Sequence, residues 1–257
     1  MKFGYKKEEP SDSDYLFSDV ENVFAANASS YGSAHIIQEF TPVSNQLNLN
    51  SCAGNATADS LEMLLGQTGK VIQLSRLFIY WNARVYTKDT DKDDGCYIRN
   101  CFDSLFTLGV PSEERWAYNE SKVFAQPDIF AYGQANDNKI NSYYRINGTG
   151  TKRLDQIEEA VRSNHPVVFG TGISKQFITY HNQQVVWNIP DNIAGYHAMV
   201  ITGVRSRGSK REFLIRNSWG DSWGDDNNPG HTWFSEEYMT WAETSDLWVP
   251  TLMSFVI

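Results

Sequence analysis

The stretch QLNLNSCAGNATADSLEMLLG, residues 46–66, places a lone cysteine directly in front of a run with helical spacing. The alanines and leucines of this run can share one face, which predicts a helix that begins at Cys52 and ends near Gly66. A lone cysteine is more often a small buried hydrophobe than a functional group. At a helix N-terminus, however, the helix dipole and unpaired N–H groups lower the pKa of a thiol and favour the reactive thiolate.

A thiolate nucleophile needs a base, and among five histidines His197 has the most suitable surroundings. It lies in AGYHAMVITGV, at the start of an apolar segment that predicts a strand, so its side chain would be held rigidly. The others lie in the N-terminal arm, at a helix end or in polar turns; they are His35, His165, His181 and His231.

A third group must orient the imidazole, and Asn217 in FLIRNSWGDSWGDD is a candidate. Its amide oxygen can accept the imidazole N–H, and the indole of Trp219 can shield that bond from water. An acyl-transfer site also needs donors for an oxyanion. The backbone N–H of Cys52 can supply one donor and the side-chain amide of Gln46 another.

These pieces together resemble the papain-like cysteine peptidases. The matching motifs are Gln46-x5-Cys52, His197-Ala198 and Asn217-Ser218-Trp219-Gly220. The interval from Cys52 to His197 lies within the roughly 130–150 residues typical of this class. The similarity extends over about residues 38–250 and is closest to a bacterial-type branch that lacks a long propeptide and disulfides.

The order of elements predicts an α+β protein, with helices first and strands later. Three further helices are expected: over 75–87 with Ser75 as N-cap, over 97–109 with Gly109 at the C-terminal end, and over 153–164, ended by Pro166. The resemblance implies a papain-like two-lobed fold with the active-site cleft between the lobes. We expect a poorly structured or accessory N-terminal arm over residues 1–35 and a catalytic domain over 36–257. Its helical lobe, about 45–135, would carry Cys52, and its β-rich lobe, about 136–257, His197 and Asn217.

The resemblance implies a cysteine endopeptidase that forms a thioester acyl-enzyme. Cys52 would be the nucleophile, His197 the general base and acid, Asn217 the orienting residue and Gln46 part of the oxyanion hole. The expected substrate is a polypeptide. Substrate-binding residues are expected at Gly95, Cys96, Tyr196 and Trp219.

Several positions depart from the family pattern. Leu47, Asn50 and Tyr196 stand where glycine is usual, and Gly54 lies unusually close to the nucleophile. They leave two alternatives open. The chain could be a papain-like structural or binding module, for example in a phage particle or a secretion complex, with weak or no proteolysis. It could also transfer the acyl group to an amine instead of water.

Composition excludes several other functions. The net charge of −9 disfavours a nucleic-acid partner, and no apolar stretch is long enough to span a membrane. No cofactor or metal is expected: the acidic run DTDKDDG (89–95) has Asn100 where a calcium loop would need glutamate, so it is interpreted as a solvated turn. The N-terminal arm is a candidate autoinhibitory or partner-binding segment.

The three cysteines do not form a disulfide framework. We expect Cys101 in the core and Cys96 half-exposed in a turn; a bridge between them would constrain little. Without a visible signal peptide, the sequence favours a reducing compartment such as the cytoplasm, or a virion or non-classical secretion, and leaves the localisation unknown.

Overall fold

A computed structural model describes residues 3–25, 33–181 and 185–252. Its largest unit is an eight-stranded sheet. Seven strands follow the order β2-β10-β3-β5-β6-β9-β4, and the eighth, β1, pairs with β5. Neighbouring strands are antiparallel except for β4 and β9. The strands are β1 (His35–Ile36), β2 (Ile140–Arg145), β3 (Val167–Ile173), β4 (Val186–Trp187), β5 (Gly195–Arg207), β6 (Lys210–Arg216), β7 (Gly224–Asp225), β8 (Asn228–Pro229), β9 (His231–Ser235) and β10 (Ser245–Leu252), with β7 and β8 forming a separate pair.

Three helices from the first half of the chain pack together beside this sheet. The central helix of the group also contacts β3, β5 and β10. The α-helices are α1 (Glu21–Ala25), α2 (Cys52–Gln67), α3 (Arg76–Val85), α4 (Ile98–Thr107), α5 (Ile129–Asn136), α6 (Gly150–Arg162), α7 (Lys175–Ile178) and α8 (Glu236–Thr240). Short 3-10 helices cover Phe17–Asp19 and Glu120–Lys122. The arrangement is the α+β architecture that the sequence predicts. None of the helices described is both long enough and apolar enough to cross a membrane.

Helix α2 is buried on all sides because it lies between α3 and α4 on one flank and the sheet on the other. Gly54 permits the close approach of α3: a Cβ there would lie 3.1 Å from both the Arg76 carbonyl oxygen and the Tyr80 Cβ. This explains a glycine in the first turn of the helix, where it is otherwise unfavourable.

Several local predictions are confirmed. The Ser75 side chain accepts a hydrogen bond from the Phe78 N–H at 3.2 Å and so caps α3. Gly109 follows α4 with a φ of +81°, the left-handed conformation that favours glycine. The sequence analysis missed β2 and α5, whose short apolar patterns are weak. The exact boundary between the lobes remains a prediction.

The expectation of a poorly structured N-terminal arm is wrong for residues 3–25. This segment contains two short helical elements, and its aromatic side chains Tyr5, Phe17 and Phe24 are buried. Phe17 and Phe24 lie with their ring centroids 4.6 Å apart, and Phe24 contacts the His165 ring. Burial of these aromatic rings holds the arm against the β-rich part of the molecule.

A buried ion cluster joins α2 to the end of β6. The Arg216 Nε lies 3.1 Å from the carboxylate of Asp59, and both side chains are almost fully buried. The same guanidinium pairs with Glu39 and donates to the Pro42 carbonyl at 2.6 Å. Because Arg216 directly precedes Asn217, the cluster fixes the position of Asn217 relative to the helix that begins at Cys52.

We expect Asp59→Ala to lower the free energy of unfolding by about 3–5 kcal/mol, since it leaves a buried guanidinium without its buried partner. The matched control is Asp155→Ala, because Asp155 pairs with Arg211 while its side chain stays 52% exposed. That change should cost no more than about 1 kcal/mol. Chemical denaturation of both variants tests this; equal losses would contradict the role given to the cluster.

Candidate active site

Cys52 is the first residue of α2, directly after the N-cap residue Ser51. Its side chain is completely buried, and its Sγ accepts a hydrogen bond from the Ala198 N–H at 3.4 Å. Ala198 follows His197 on β5. The thiol at the start of the helix therefore lies beside the strand that carries the predicted base.

His197 and Asn217 form a close pair across neighbouring strands. The His197 Nε2 lies 2.7 Å from Asn217 Oδ1. The indole of Trp219 stacks on the imidazole, with centroids 4.5 Å apart and planes 25° apart. The bond is thereby covered on one side by an aromatic ring, as the sequence predicts.

The hydrogen bonds of Asn217 define the tautomer of the imidazole. Its Oδ1 also accepts the backbone N–H of Ser218 at 2.7 Å, which identifies that atom as the amide oxygen. An amide oxygen only accepts, so His197 Nε2 must carry the proton. The unprotonated nitrogen is then Nδ1, which is buried and has no hydrogen-bond partner among the described residues. This nitrogen can accept a proton.

Gln46 is held rigidly in the loop before α2. Its side-chain Nε2 donates to the Leu49 carbonyl at 2.8 Å, and its Oε1 accepts from the Ser218 hydroxyl at 2.8 Å. Its backbone N–H donates to the Ser218 carbonyl at 2.9 Å. The Gln46 amide is thus fixed next to the segment that carries Asn217.

The backbone of Gly95 and Cys96 binds the N-terminal arm. The Cys96 N–H donates to the Gly4 carbonyl at 2.9 Å, and the Lys6 N–H donates to the Cys96 carbonyl at 3.2 Å. A Cβ on Gly95 would overlap the Gly4 backbone, and a Cβ on Gly4 would overlap the carbonyl of Asn50. The arm therefore lies flat against this edge, where extended backbone pairs with extended backbone.

The arm covers the cysteine and histidine directly. The Phe3 ring lies 6.3 Å from the imidazole of His197 and 6.3 Å from the indole of Trp219, measured between centroids. The Gly4 backbone lies close enough to the Cys52 thiol to lower its pKa, although burial raises that pKa by more. Under the arm, both Cys52 and His197 have an exposed fraction of 0%.

Ion pairs fasten the arm beyond this point. Glu8 lies 3.1 Å from Arg99, and Asp14 pairs with both Arg99 and Arg145, at 2.8 and 3.0 Å. Arg145 also lies 2.7 Å from the buried carboxylate of Asp246. Five partly or fully buried ionisable groups thus link the arm to the body of the protein, and burial raises the pKa of Glu8 among them to about 7.

Burial sets the protonation of the pair. It raises the pKa of the Cys52 thiol to about 12 and lowers the pKa of His197 to about 4. The thiolate expected from the helix N-terminus is therefore absent in this covered state. Loss of solvent disfavours both charged forms, and that effect exceeds the helix dipole.

The remaining predicted site residues are less central. Tyr196 lies at the rim, 36% exposed, where its hydroxyl donates to Glu243 at 3.0 Å. Cys101 is in the core as predicted. The prediction of a half-exposed Cys96 is wrong, because the arm buries it; both are free thiols with their Sγ atoms 3.6 Å apart.

The residues near Cys52 that depart from the family pattern are held by specific contacts. The Asn50 N–H donates to the Asp93 carboxylate at 3.0 Å, and the same carboxylate accepts from the Tyr80 hydroxyl at 2.8 Å. Leu47 has a φ of +52°, a conformation that usually favours glycine. The acidic loop thus supports the loop that precedes Cys52.

In the described residues, no group of three or more His, Cys, Asp or Glu side chains is arranged to hold a metal ion.

Comparison with known proteins agrees with this geometry. The family model described as "Papain family cysteine protease" matches residues 31–237. The chain belongs to the papain family of cysteine proteases. An uncharacterized peptidase C1-like protein of Acanthamoeba polyphaga mimivirus is 29% identical to it over 217 residues, which are 80% of this chain and 68% of the viral protein.

More distant members of the papain family are also similar. Cathepsin K of Gallus gallus is 28% identical over 72% of this chain, and the match spans about half of the cathepsin, 53%. Xylellain, a cysteine protease from Xylella fastidiosa, superposes with a TM-score of 0.85 at 24% identity, covering 98% of this chain and 96% of xylellain. The bromelain protease of Ananas comosus gives 0.67 at 20% identity, with 86% and 99% covered. The fold is therefore papain-like, as predicted.

The sequence analysis missed the residues by which this papain-family chain fills its own cleft. Phe3, Gly4 and Tyr5 lie in a charged, Ser- and Asp-rich arm without periodicity. The aromatic-Gly-aromatic sequence FGY was the available signal, since two rings flanking a glycine fit a narrow groove. Gly170 and Asp246, which receive Tyr5, are far away in sequence and carry no motif.

In the native chain we expect no thiolate absorbance from Cys52 at neutral pH, since a group with a pKa of about 12 stays protonated until the solution is strongly alkaline. The measurement is the ultraviolet difference spectrum between the native chain and Cys52→Ala as pH rises. In denaturant the same difference should appear near the ordinary thiol pKa, about 8.5. A difference band in the native state near pH 6–7 would contradict the covered site.

Proposed function

We propose that the chain is a cysteine endopeptidase in which Cys52 attacks the peptide carbonyl. The observation that carries the proposal is the His197–Asn217 pair, whose strand continues to Ala198, the residue that contacts the Cys52 thiol at the helix start. The oriented Asn217 oxygen leaves His197 Nδ1 as the basic nitrogen. Membership of the papain family supports the same chemistry.

The reaction follows from these positions. The Cys52 proton passes to His197 Nδ1 as sulfur bonds to the carbonyl carbon, and the oxyanion is stabilised by the Cys52 N–H and the Gln46 amide. His197 then protonates the leaving amine, and a thioester remains. Water, deprotonated by His197, cleaves the thioester and restores the thiol. Asn217 and Trp219 keep the imidazole in place.

The substrate in this proposal is an extended polypeptide. Its support is the backbone of Cys96, whose N–H and carbonyl already pair with Gly4 and Lys6 of the extended arm; Gly95 leaves room for the approach. Tyr196 and Trp219 are proposed to lie along the same groove, Tyr196 at its rim. Acyl transfer to an amine would use the same thioester, and product analysis with an added amine distinguishes the two.

We further infer that residues 3–25 act as an autoinhibitory arm. Substrate and arm need the same space, since Phe3 and Gly4 lie against His197 and Cys52. The closed site also favours a second candidate function, a papain-like binding module without proteolysis. That function requires the chain to stay inactive when the arm is displaced, and the next two experiments test this.

Gly4→Ala should raise peptidase activity at least tenfold. The added methyl would overlap the Asn50 carbonyl, a backbone atom that cannot move aside easily, so the arm must leave the cleft. Gly133→Ala is the matched control, because a Cβ there meets no atom within 4 Å. The assay is cleavage of denatured casein by the full-length variants. Unchanged activity in Gly4→Ala, with Cys52 newly open to alkylation, would favour the binding module.

Cys52→Ala in the Gly4→Ala chain should abolish casein cleavage while the circular dichroism spectrum stays unchanged, since the nucleophile is lost but the core is not. Cys101→Ala is the control: it makes the same change at a buried thiol that the mechanism does not use. We expect that control to retain cleavage. Residual cleavage by the Cys52→Ala chain above the level of uncatalysed hydrolysis would refute the mechanism.

A further inference from the structure

A pocket beside the nucleophile holds the side chain of Tyr5. We define the Asp246 pocket as the space around this ring bounded by Gly170, Ser245 and Asp246. Tyr5 is only 6% exposed, and its hydroxyl lies 2.7 Å from the Ser245 Oγ and donates to the Asp246 carboxylate. A Cβ on Gly170 would overlap the Tyr5 ring. The pocket therefore exists because residue 170 has no side chain.

The Asp246 pocket lies next to the reacting atoms. Gly170 on β3 is paired with Ala198 on β5, and the Ala198 N–H donates to the Cys52 Sγ. Ser245 on β10 is paired with Gly170 from the other side. Tyr5 itself directly follows Gly4. A side chain in this pocket thus belongs to a peptide whose backbone passes over the thiol.

The polar end of the pocket is built to receive a donor. One carboxylate oxygen of Asp246, Oδ1, is held by Arg145 at 2.7 Å. The other, Oδ2, accepts from the Tyr5 hydroxyl and from the Glu8 N–H at 3.0 Å, both of which belong to the arm. When the arm leaves, Oδ2 loses these two donors. A buried carboxylate oxygen without its donors is strongly unfavourable, so an incoming side chain with a donor is favoured.

The surrounding charges favour a neutral donor over a cation. Arg145 and Arg99 lie on the body of the protein, whereas Glu8 and Asp14, which pair with them, lie on the arm. Displacing the arm leaves Arg99 and Arg145 with Asp246. Arg145 also interacts with Arg153, and Arg99 with Asp103, so three guanidiniums remain with two carboxyl groups. A lysine or arginine side chain would then enter a region of net positive charge, and phenylalanine would bring no donor.

We propose that Asp246, assisted by Ser245, selects tyrosine in the substrate at the position that fills this pocket. This inference rests on the proposed peptidase function and deepens it, because the Tyr5 side chain of the arm serves as the template for the substrate side chain. The room left by Gly170 fits the ring, and Asp246 Oδ2 accepts the phenol O–H. Asp246 is a specificity-determining residue in this scheme and takes no part in bond making or breaking.

The test uses full-length Gly4→Ala/Tyr5→Ala, in which the arm is displaced and the pocket is empty. Fluorogenic peptides carry Tyr, Phe or Lys in turn at each of four positions before the reporter amide, with the rest constant. At one position we expect kcat/KM for Tyr to exceed that for Phe and for Lys at least tenfold, as sites built to bind a hydroxyl reject analogues that lack it. A Tyr to Phe ratio below about three at every position, or a preference for Lys, would overturn the proposal.

Asp246→Asn in the same background tests the residue. Arg145 donates only, so it should turn the amide oxygen of the new side chain toward itself and leave an NH2 group facing the substrate hydroxyl. The Tyr to Phe ratio should then fall at least threefold, because the phenol oxygen accepts from a neutral NH2 group instead of the phenol donating to a carboxylate, and charge-assisted hydrogen bonds are the stronger ones. Asparagine tolerates the left-handed backbone of position 246, where φ is +54°, so the fold is expected to persist. If the Tyr to Phe ratio of kcat/KM is unchanged in this variant, Asp246 does not recognise the tyrosine hydroxyl.

A binding measurement separates this proposal from the peptidase function. The Cys52→Ala form of the same full-length chain cannot perform the reaction, and fluorescence anisotropy gives its affinity for labelled Tyr and Phe peptides. Tighter binding of the Tyr peptide by about tenfold, reduced at least threefold in Asp246→Asn, supports the pocket even if no peptide is ever hydrolysed. Equal binding of both peptides would refute the selection of tyrosine by this pocket. Equal hydrolysis of Tyr and Phe peptides would also refute that selection, but it would leave the peptidase function intact.

Discussion

The buried guanidinium of Arg216 is the interaction on which the site depends. It holds Asp59 of α2, Glu39 and the Pro42 carbonyl together, and it lies one residue before Asn217. The helix that presents the thiol and the strand that leads to the orienting amide come from opposite parts of the chain. A guanidinium suits this place because its planar set of donors can serve several oxygens at once.

The region around the nucleophile shows how an unusual sequence can keep a familiar geometry. Gly54 lets α3 approach closely, and Asn50 is tied to Asp93 of the acidic loop. That loop is attached to α3 through the Tyr80 hydroxyl. Residues that look like unfavourable substitutions in isolation are thus accommodated by partners 22 to 43 residues further along the chain.

The sequence predicted the fold class, and it predicted that Cys52 begins a helix and that His197 lies at the start of a strand, because such starts leave local patterns. The catalytic roles of Cys52, His197 and Asn217 stay a prediction. The sequence did not predict the covered state. Docking of the arm depends on contacts of Phe3 with the rings of His197 and Trp219 in the second half of the chain. It also depends on Gly170, which leaves room for Tyr5. Such contacts join positions far apart in sequence and have no periodic signal. The helix terminus alone led us to expect a lowered pKa for the Cys52 thiol. Its pKa is raised instead, because burial by the arm outweighs the effect of the helix terminus.

The covalent attachment of the arm changes how the cleft can be controlled. An occupant on the same chain has a local concentration set by the connecting segment, of millimolar order for short flexible connections, and dilution of the protein does not reduce it. A single backbone cut within residues 6–25 would convert that occupant into a separate peptide, held only by its own contacts such as Tyr5 with Asp246. Occupancy of the cleft would from then on depend on how much peptide is present in solution.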